Sequence, residues 1–359
     1  MYSMLRHACC LLLILLFTRP VRAQEPAFQN LFGRADGIAC YRIPALATAP
    51  NGDLLAAIDQ RVPSCGDLNQ NPDINIALRT SRDGGVTWSD LRVIADFPSG
   101  QSASDPSFIV DQTTGEIFLF YNYMDHVRYP GVYFFYVIKS TDNGRTWSAP
   151  VDITWQISRP EWSREFQFIT SGGGIQTRGG DLLHCLVNLQ RGVFIFGSVD
   201  HGKSWFLLDN PLQPADESKI VELPDGAWMV NARVNKAGCR YVHTSHDRGQ
   251  TWTIRADTAL ADPGCNAGFI RYAYQENGAE KNLLLFSNPN SRNDRTNLTL
   301  RISRDNGLTW TPGRTIYAGS AAYSALAILK NGAVGVLFEK DNYAENGFVI
   351  LPPAWFLDR

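Results

Sequence analysis

The sequence lacks the patterns that mark several protein classes. Its six histidines are scattered, and none lies in an H-E-x-x-H or similar cluster, so no metal site is predicted. Lysine and arginine form no basic run, which argues against a nucleic-acid partner. The unbroken apolar run at residues 9–17 has nine residues, too few to span a bilayer. The glycine-rich residues 171–176 lack the lysine and the following helix of a phosphate loop, so no nucleotide cofactor is predicted.

The N-terminal segment, residues 1–23, has the features of a secretory leader. Arg6 and His7 provide a weakly basic start, the apolar run follows, and a small residue, Ala23, ends the segment. We therefore expect a secreted or periplasmic protein. Residues 24–359 contain no Pro/Ser-rich linker and no shift in composition, so we predict a single domain there.

Cysteines are sparse, and their number is odd. Two of the seven cysteines lie in the N-terminal apolar run, and the remaining five allow at most two disulfides and one free thiol. Their spacing matches no zinc or redox motif. Export makes Cys40–Cys65 and Cys239–Cys265 candidate disulfides, although sequence alone does not fix the connectivity. Cys185 lies in an apolar run and is predicted to be a small buried hydrophobe.

One eight-residue motif, S-x-D-x-G-x-[T/S]-W, occurs five times. In each copy we expect the Asp carboxylate to accept backbone N–H bonds, the hydroxyls to do so more weakly and the Gly to adopt positive φ. The Trp ring is expected to be buried between strands. The gaps of 59, 58, 47 and 58 residues between copies are too long for a solenoid step and fit a four-stranded unit with its loops. The copies begin at Ser81, Ser140, Ser198, Ser245 and Ser303.

Short apolar stretches, rather than helical periodicity, fill the chain between these motifs. They are rich in Val, Ile, Phe and Tyr and are bounded by Gly, Pro, Asn and Asp, as at residues 117–123 and 193–196, which favours strands. Five motif-bearing units and the strands of residues 321–355, closed by the segment near residues 45–58, predict an all-β fold, a six-bladed β-propeller.

A second landmark, C-Y-R-I-P-A-L at residues 40–46, precedes the first repeat. It resembles the [F/Y]-R-I-P element of the sialidase (neuraminidase) family, and the five repeats resemble the Asp boxes of that family. The resemblance runs in order over essentially all of residues 24–359. It implies that Arg42 is the first of three arginines that hold the carboxylate of sialic acid. Because a planar guanidinium offers two parallel donors to a carboxylate, three converging arginines select an anionic sugar.

The other two arginines are implied by the same resemblance. The residues N-A-R ending at Arg233 resemble the N-[A/S]-R element ahead of the fourth repeat. Residues 288–295 hold two candidates for the third arginine, and counting back from the fifth repeat favours Arg295 over Arg292. Glu339 resembles the glutamate that braces the first arginine.

The resemblance also implies a nucleophile and its base. Tyr323, in A-Y-S, resembles the nucleophile of the family. Sialic acid carries its carboxylate on the anomeric carbon, so a neutral tyrosine avoids the repulsion that an Asp or Glu nucleophile would meet. A phenol with a pKa of about 10 needs a nearby base. Residues 216–223 resemble the N-E-S-x-[I/V]-V-E-L element, which makes Glu217 that base, with Asp216 where Asn is commoner.

The general acid is expected on the loop between the R-I-P strand and the first repeat. In the family, an aspartate there protonates the glycosidic oxygen and later activates water. Within residues 59–73 we choose Asp67, in G-D-L, over Asp73, which lies next to a predicted strand. The loop is about three residues longer than in compact relatives, so Asp73 stays an alternative.

Three further pocket elements are implied by the resemblance. Arg61 resembles a pocket arginine of that loop, and Asp105, in S-D-P-S, resembles a pocket aspartate near the sugar hydroxyls. Residues 171–176 resemble a glycine-rich wall of the pocket.

Together these matches predict an exo-α-sialidase that hydrolyses terminal sialic acids of glycoproteins, glycolipids or oligosaccharides with retention. Transfer to a sugar acceptor, or to the substrate's own hydroxyl to give an anhydro product, stays an alternative because it would use the same catalytic residues. A sialic-acid-binding propeller without activity is a further alternative. It predicts loss of the equivalents of Tyr323 or Glu217, and both are present.

Overall fold

The structure, a computed structural model, describes residues 27–357, so the predicted leader lies outside the described residues. In this described range β-strands dominate, and the α-helices are two short ones, α1 (Thr154–Ile157) and α2 (Pro353–Leu357). One 3₁₀ turn, Pro160–Trp162, follows α1. Within residues 27–357 no helix has both the length and the apolar character needed to cross a membrane.

The strands range from 2 to 15 residues in length and follow one another along the described chain. In chain order they are β1 (Gln29–Gly33), β2 (Cys40–Thr48), β3 (Leu54–Arg61), β4 (Ile74–Ser81), β5 (Arg92–Ala95), β6 (Gln101–Val110), β7 (Ile117–Asp125), β8 (Phe134–Ser140), β9 (Val151–Asp152), β10 (Gln167–Ile169), β11 (Gly172–Gly173), β12 (Ile175–Gln176), β13 (Leu182–Asn188), β14 (Gly192–Ser198), β15 (Phe206–Leu207), β16 (Ser218–Glu222), β17 (Trp228–Ala232), β18 (Cys239–Ser245), β19 (Thr253–Ala261), β20 (Gly268–Glu276), β21 (Ala279–Pro289), β22 (Thr296–Ser303), β23 (Arg314–Ile328), β24 (Val334–Lys340) and β25 (Glu345–Leu351).

Hydrogen bonding orders these strands into repeated units. Sheet I is β2-β3-β4-β5, sheet II is β11-β6-β7-β8-β9, sheet III is β10-β13-β14-β15 with β12 also on β13, and sheet IV is β16-β17-β18-β19. The rest form one seven-stranded sheet joined by the long strand β23. Residues 314–320 of β23 pair with β22, and residues 321–328 pair with β24. We therefore describe two units, sheet V (β20, β21, β22 and the first part of β23) and sheet VI (the second part of β23, β24, β25 and β1).

The innermost strands contact one another in a circular order. β2 contacts β6, β6 contacts β12, β12 contacts β16, β16 contacts β20, β20 contacts β23, and β23 contacts β2. The all-β propeller predicted from the sequence is confirmed as the fold class. The number of six blades stays a prediction, which this order supports.

The prediction that the segment near residues 45–58 closes the last unit was wrong. Residues 45–58 belong to β2 and β3, which pair with each other in sheet I because a tight turn at Asn51 and Gly52 folds them into a hairpin. The N-terminal strand β1 pairs instead with β25 and supplies the fourth strand of sheet VI.

The five repeats share one hydrogen-bond pattern at the turn before the fourth strand. In the first copy the Ser81 hydroxyl donates to Asp83 and accepts from the Gly85 N–H, both at 2.8 Å. Thr87 donates to the same carboxylate from its N–H at 2.8 Å and from its hydroxyl at 2.5 Å. The same bonds recur in the other four copies. The predicted role of the Asp carboxylate is therefore confirmed.

The glycine of each repeat packs its sheet against the preceding sheet. Gly144 in sheet II has φ 81°, and a Cβ there would lie 2.7 Å from Leu55 in sheet I. A Cβ on Gly85, at φ 92°, would lie 2.6 Å from Phe348 in sheet VI. The ring of Trp88 meets Phe348 edge to face at 5.0 Å. The repeats thus hold neighbouring sheets together and connect sheet I to sheet VI.

The cysteines divide into one disulfide and three free thiols within residues 27–357. The candidate pair Cys40–Cys65 is a disulfide, with Cα atoms 5.7 Å apart. The candidate pair Cys239–Cys265 was wrong, because both thiols are free and buried. Cys265 packs against Tyr323 instead. Cys185 is a free, buried residue, as predicted.

Replacing the aspartate of the first repeat, Asp83→Ala, is expected to lower thermal stability in a pH-dependent manner. Hydrogen bonds from Thr87 and Ser81 lower the pKa of Asp83 from 3.8 to about 2. Its contribution is therefore complete above pH 3.8 and is lost as the pH falls through about 2. The difference in Tm from wild type, measured by differential scanning fluorimetry across pH, should shrink below pH 3.8. The control is Asp90→Ala, an exposed acid just beyond the motif, and identical profiles for both variants would contradict the account.

Candidate active site

Three innermost strands are irregular next to predicted site residues. The pairing register shifts just after Arg42 in β2, around Asp105 in β6 and around Tyr323 in β23. Ile43 and Asp105 have φ of 64° and 63°, in the left-handed region that residues other than glycine rarely occupy. Irregularities of this kind redirect side chains. All three predicted residues line the same cavity.

The cavity has a volume of about 290 Å³ and collects most of the predicted site. Of the two alternatives, Asp73 does not line it, and the exposed Arg292 donates to the Gly238 carbonyl instead. The ninth predicted residue, Glu339, lies behind Arg42. The eight predicted residues that line the cavity are Arg42, Arg61, Asp67, Asp105, Glu217, Arg233, Arg295 and Tyr323.

Three guanidinium groups surround the phenol of Tyr323. The central carbons of Arg295 and Arg42 lie 5.3 and 5.6 Å from the centroid of its ring. Arg233 donates to its hydroxyl at 3.3 Å. Only 12% of the Arg42 side chain and 17% of the Arg233 side chain are exposed. Because solvent screening is weak at such positions, an anion in this cavity would be strongly attracted.

The arginines differ in how their charges are compensated. Glu339 pairs with Arg42 at 2.7 Å and Glu217 pairs with Arg233 at 2.5 Å. Arg295 forms no ion pair within residues 27–357; it donates to the Tyr343 hydroxyl at 3.0 Å and to the Gly264 carbonyl at 2.8 Å. Arg295 therefore supplies a positive charge that a ligand carboxylate can neutralise.

Glu339 is completely buried and connects sheet VI to sheet I. Its carboxylate accepts from Nε and Nη2 of Arg42 at 2.7 and 3.3 Å. It also accepts from the backbone N–H of Ile43 at 2.9 Å and of Tyr323 at 3.1 Å. Burial alone would lower the pKa of Arg42, but the charge and hydrogen bond of Glu339, together with Tyr323 and Tyr343, outweigh it and the net shift is upward. One carboxylate thus fixes both an arginine and the strand that carries the phenol.

Arg233 bridges the phenol and the predicted base. The same Nη1 atom donates to Glu217 at 2.5 Å and to the Tyr323 hydroxyl at 3.3 Å. Burial, followed by the Glu217 charge, raises the pKa of Tyr323 well above its ordinary value, so the phenol is neutral. Because both groups accept from one nitrogen, the Glu217 carboxylate lies near the neutral phenol.

Asp216, which replaces the commoner Asn, supports the same arginine. Its carboxylate accepts from the Asn235 side-chain amide at 2.5 Å, and Asn235 in turn accepts from Nε of Arg233 at 2.7 Å. The backbone N–H of Glu217 also donates to Asp216 at 2.7 Å. The substitution therefore places a second carboxylate behind Arg233.

Asp67 is the exposed acid of the cavity, with 71% of its side chain accessible. Arg61 donates to it at 2.8 Å. Arg61 is itself almost fully buried and pairs at 3.0 Å with Asp59, which is completely buried. Asp59 was not predicted, although its position two residues before Arg61 in the same strand was the available signal.

The environment of Asp105 differs from that of the exposed Asp67. It accepts from the Asn122 side-chain amide at 3.0 Å, and its own N–H donates to Asp59 at 2.8 Å. Burial, followed by the Asp59 charge, raises the pKa of Asp105 to about 8. A carboxyl group with this pKa is mostly protonated at neutral pH and can donate a hydrogen bond to a hydroxyl.

Sequence reasoning missed two other features of the cavity. Tyr343, in the turn between β24 and β25, lies with its ring 4.1 Å from the guanidinium carbon of Arg42, and no motif marks it. An apolar side of the cavity also had no signal, because its members come from separate segments. They are Tyr133, Phe166, Phe168 and Leu189.

The predicted glycine-rich wall was wrong. Residues 172–174 line a second cavity of about 600 Å³ along the innermost strands. They lie away from the predicted site because of their pairing register. Gly172 and Gly173 pair in parallel with Ser107 and Phe108 of β6, beyond the position of Asp105.

Known proteins resemble this chain over most of its length. The model of the BNR repeat-like domain family matches residues 52–336. A sialidase of Micromonospora viridifaciens is 36% identical over 335 residues, which cover 85% of this chain and 50% of the relative. A sialidase of Bacteroides fragilis (strain YCH46) is 33% identical over 333 residues, which cover 85% of this chain and 60% of the relative. The solved structure of the Hadza microbial sialidase Hz136 has a TM-score of 0.79 at 32% identity, with 88% of this chain and 66% of that chain covered.

The chain therefore belongs to the BNR repeat-like domain family. The predicted resemblance to the Asp-box sialidases is confirmed by these relatives. The chain spans 50% to 60% of the length of the two curated sialidases.

Removing the charge of the buried Glu339 carboxylate, Glu339→Gln, is expected to destabilise the fold by about 3 kcal/mol. The change leaves the Arg42 guanidinium mostly buried without a carboxylate partner, and breaking such pairs costs about 3–5 kcal/mol. The free energy of unfolding from urea denaturation measures the effect. The matched control is Glu345→Gln on the adjacent strand, whose ion pair with Lys340 is partly exposed and should contribute about 0–1 kcal/mol. Equal losses of unfolding free energy in the two variants would contradict the proposed importance of Glu339.

Replacing the half-buried acid, Asp105→Asn, is expected to remove a pH dependence of stability. Between pH 3.8 and about 8 the folded protein holds a proton on Asp105 that the unfolded chain has released. Wild-type stability should therefore fall as pH rises through this window, whereas Asn does not titrate. The variant should gain stability relative to wild type as pH rises, measured by denaturation at several pH values. Asp67→Asn, at an exposed carboxylate, is the control, and a constant difference for Asp105→Asn would refute the assignment.

Proposed function

We propose that the chain is an exo-α-sialidase, a retaining glycoside hydrolase that releases terminal sialic acids from glycoproteins, glycolipids or oligosaccharides. The observation that carries this proposal is the convergence of three arginines on one phenol. Sialic acid has its carboxylate on the carbon that reacts, so a carboxylate held by Arg42, Arg233 and Arg295 places that carbon at Tyr323. The named sialidases among the relatives support the same assignment.

In the first step the Tyr323 oxygen attacks the anomeric carbon and the glycosidic bond breaks. Glu217 accepts the phenolic proton, and Asp67 donates a proton to the departing oxygen. In the second step Asp67 takes a proton from water, and the resulting nucleophile attacks the same carbon. The Tyr323 oxygen leaves and recovers its proton from Glu217. Two successive displacements retain the anomeric configuration.

The different environments of the two aspartates support different roles. Asp67, which lines the cavity and has most of its side chain exposed, can reach a leaving group and the water that follows it. Asp105, half-buried and mostly protonated at neutral pH, suits a hydrogen bond to a sugar hydroxyl. Arg61 contacts Asp67 and lines the same cavity, so it belongs to this side of the substrate.

We further propose that the protein is exported, as its N-terminal segment predicts. The Cys40–Cys65 disulfide supports this proposal, because structural disulfides persist mainly in oxidising compartments.

The proposed mechanism predicts an order of activities on an aryl α-sialoside that releases a fluorophore. Wild type should cleave it, and Tyr323→Phe should abolish normal turnover. Asp67→Ala should retain far more activity on the aryl substrate than on a natural sialoside, because an activated leaving group needs little protonation. Fluorescence release and chromatography of free sialic acid measure the two substrates. A wild type that binds free sialic acid without cleaving either substrate would favour the binding propeller.

Arg42, Arg233 and Arg295 together form what we call the carboxylate clamp. A matched pair of variants tests which arginine is its third member. Arg295→Ala should raise KM at least about tenfold, because it removes the charge that has no carboxylate partner in the free protein. Arg292→Ala, three residues away and exposed, should leave KM within about twofold. The assignment of the third arginine would be wrong if the two variants exchanged these effects.

A further inference from the structure

The loop that carries Asp67 is covalently attached beside the carboxylate clamp. Cys65 lies two residues before Asp67, and Cys40 lies two residues before Arg42 on β2. The disulfide between them therefore joins the exposed acid to the strand of the first arginine. Cys65 is exposed, whereas Cys185, Cys239 and Cys265 are buried free thiols. Within residues 27–357 this disulfide is therefore the bond that a reductant in solution can open.

A second attachment reaches the same residues from inside the protein. Nη1 of Arg61 donates to the carbonyl oxygens of Cys65 and Gly66 at 2.8 and 3.1 Å. It also donates to the Asp67 carboxylate at 2.8 Å. Only 1% of the Arg61 side chain is exposed, and Asp59 holds its other edge. One rigid cation thus binds three consecutive residues of the loop.

The Asp67 side chain has little else to hold it. Most of its surface is exposed, and Arg61 is its one ion-pair partner within residues 27–357. A general acid must lie within hydrogen-bond reach of the leaving oxygen, and a displacement of about 1 Å can cost a hundredfold in rate. The position of the acid therefore depends on the two attachments of its loop.

We propose that the Cys40–Cys65 disulfide, acting with the Asp59–Arg61 pair, is a positioning device for the acid–base aspartate Asp67. The proposal rests on the proposed sialidase function. Opening the disulfide removes one of the two attachments of the loop and involves neither Glu217 nor Tyr323. The loss should therefore fall on the proton transfer to the leaving group, not on recognition of the carboxylate.

The experiment compares two substrates in two forms of the protein. Wild type and the double variant Cys40→Ser/Cys65→Ser are assayed for kcat and KM on sialyllactose and on an aryl α-sialoside. Both are then assayed after treatment with a water-soluble trialkyl phosphine. The phosphine becomes a phosphine oxide, the disulfide becomes two thiols, and water supplies the oxygen and both protons.

The proposal expects a selective loss. In the double variant, kcat/KM on sialyllactose should fall at least about tenfold, while kcat/KM on the aryl sialoside, which reports the cleavage step alone, should stay within about twofold. The phosphine should reproduce this pattern in wild type and have no further effect on the double variant. That control shows whether the phosphine acts through this disulfide. If the double variant does not fold, the phosphine-treated wild type, checked by its Tm, gives the same measurement.

Other outcomes would overturn the proposal. Unchanged rates on both substrates would show that the disulfide does not position Asp67. An equal loss on both substrates would show a general effect on the clamp or on folding. A wild type inert on both substrates would instead refute the proposed function, and the inference with it.

Discussion

The buried carboxylate of Glu339 is the constraint on which the site depends. It joins Arg42 to the backbone of Tyr323, although the two paired residues, Arg42 and Glu339, are 297 positions apart in sequence. It also accepts the N–H of Ile43, whose left-handed backbone is unfavourable for a β-branched residue by about 1–3 kcal/mol. The interaction therefore stabilises the strained strand that turns an arginine towards the phenol. The strained geometry and the charge pair support each other, and both bring sheet I and sheet VI together at the cavity.

Charge in the cavity is compensated unevenly, and that unevenness gives the site its chemistry. Arg42 and Arg233 each have a carboxylate partner, whereas Arg295 bonds to neutral oxygens within residues 27–357. An incoming carboxylate would therefore neutralise a charge that the protein leaves unpaired. The acids are divided similarly, because burial keeps Asp105 mostly protonated at neutral pH while Asp67 lies open to solvent. Two carboxyl groups in one cavity can thus serve as a hydrogen-bond donor and as an acid–base group.

Local features were predictable from the sequence, and features made by distant contacts were less so. The repeat around Asp83 follows from residues a few positions apart, so its hydrogen bonds could be predicted. Arg295 was preferred to Arg292 by family register, and it is the one that lines the cavity. Tyr343 had no signal, because its role arises only where the turn meets Arg42. The pairing of Cys239 with Cys265 failed for the same reason, since spacing does not show which way a side chain points.

The most direct test of the account is the anomeric form of the first product. Proton NMR during cleavage of sialyllactose distinguishes α-sialic acid from β-sialic acid before they interconvert. Attack by Tyr323 followed by attack of water predicts the α-anomer first. The β-anomer first would show a single displacement and contradict the role given to Tyr323. An anhydro sugar as the sole product would show that the substrate's own hydroxyl, and not water, completes the reaction.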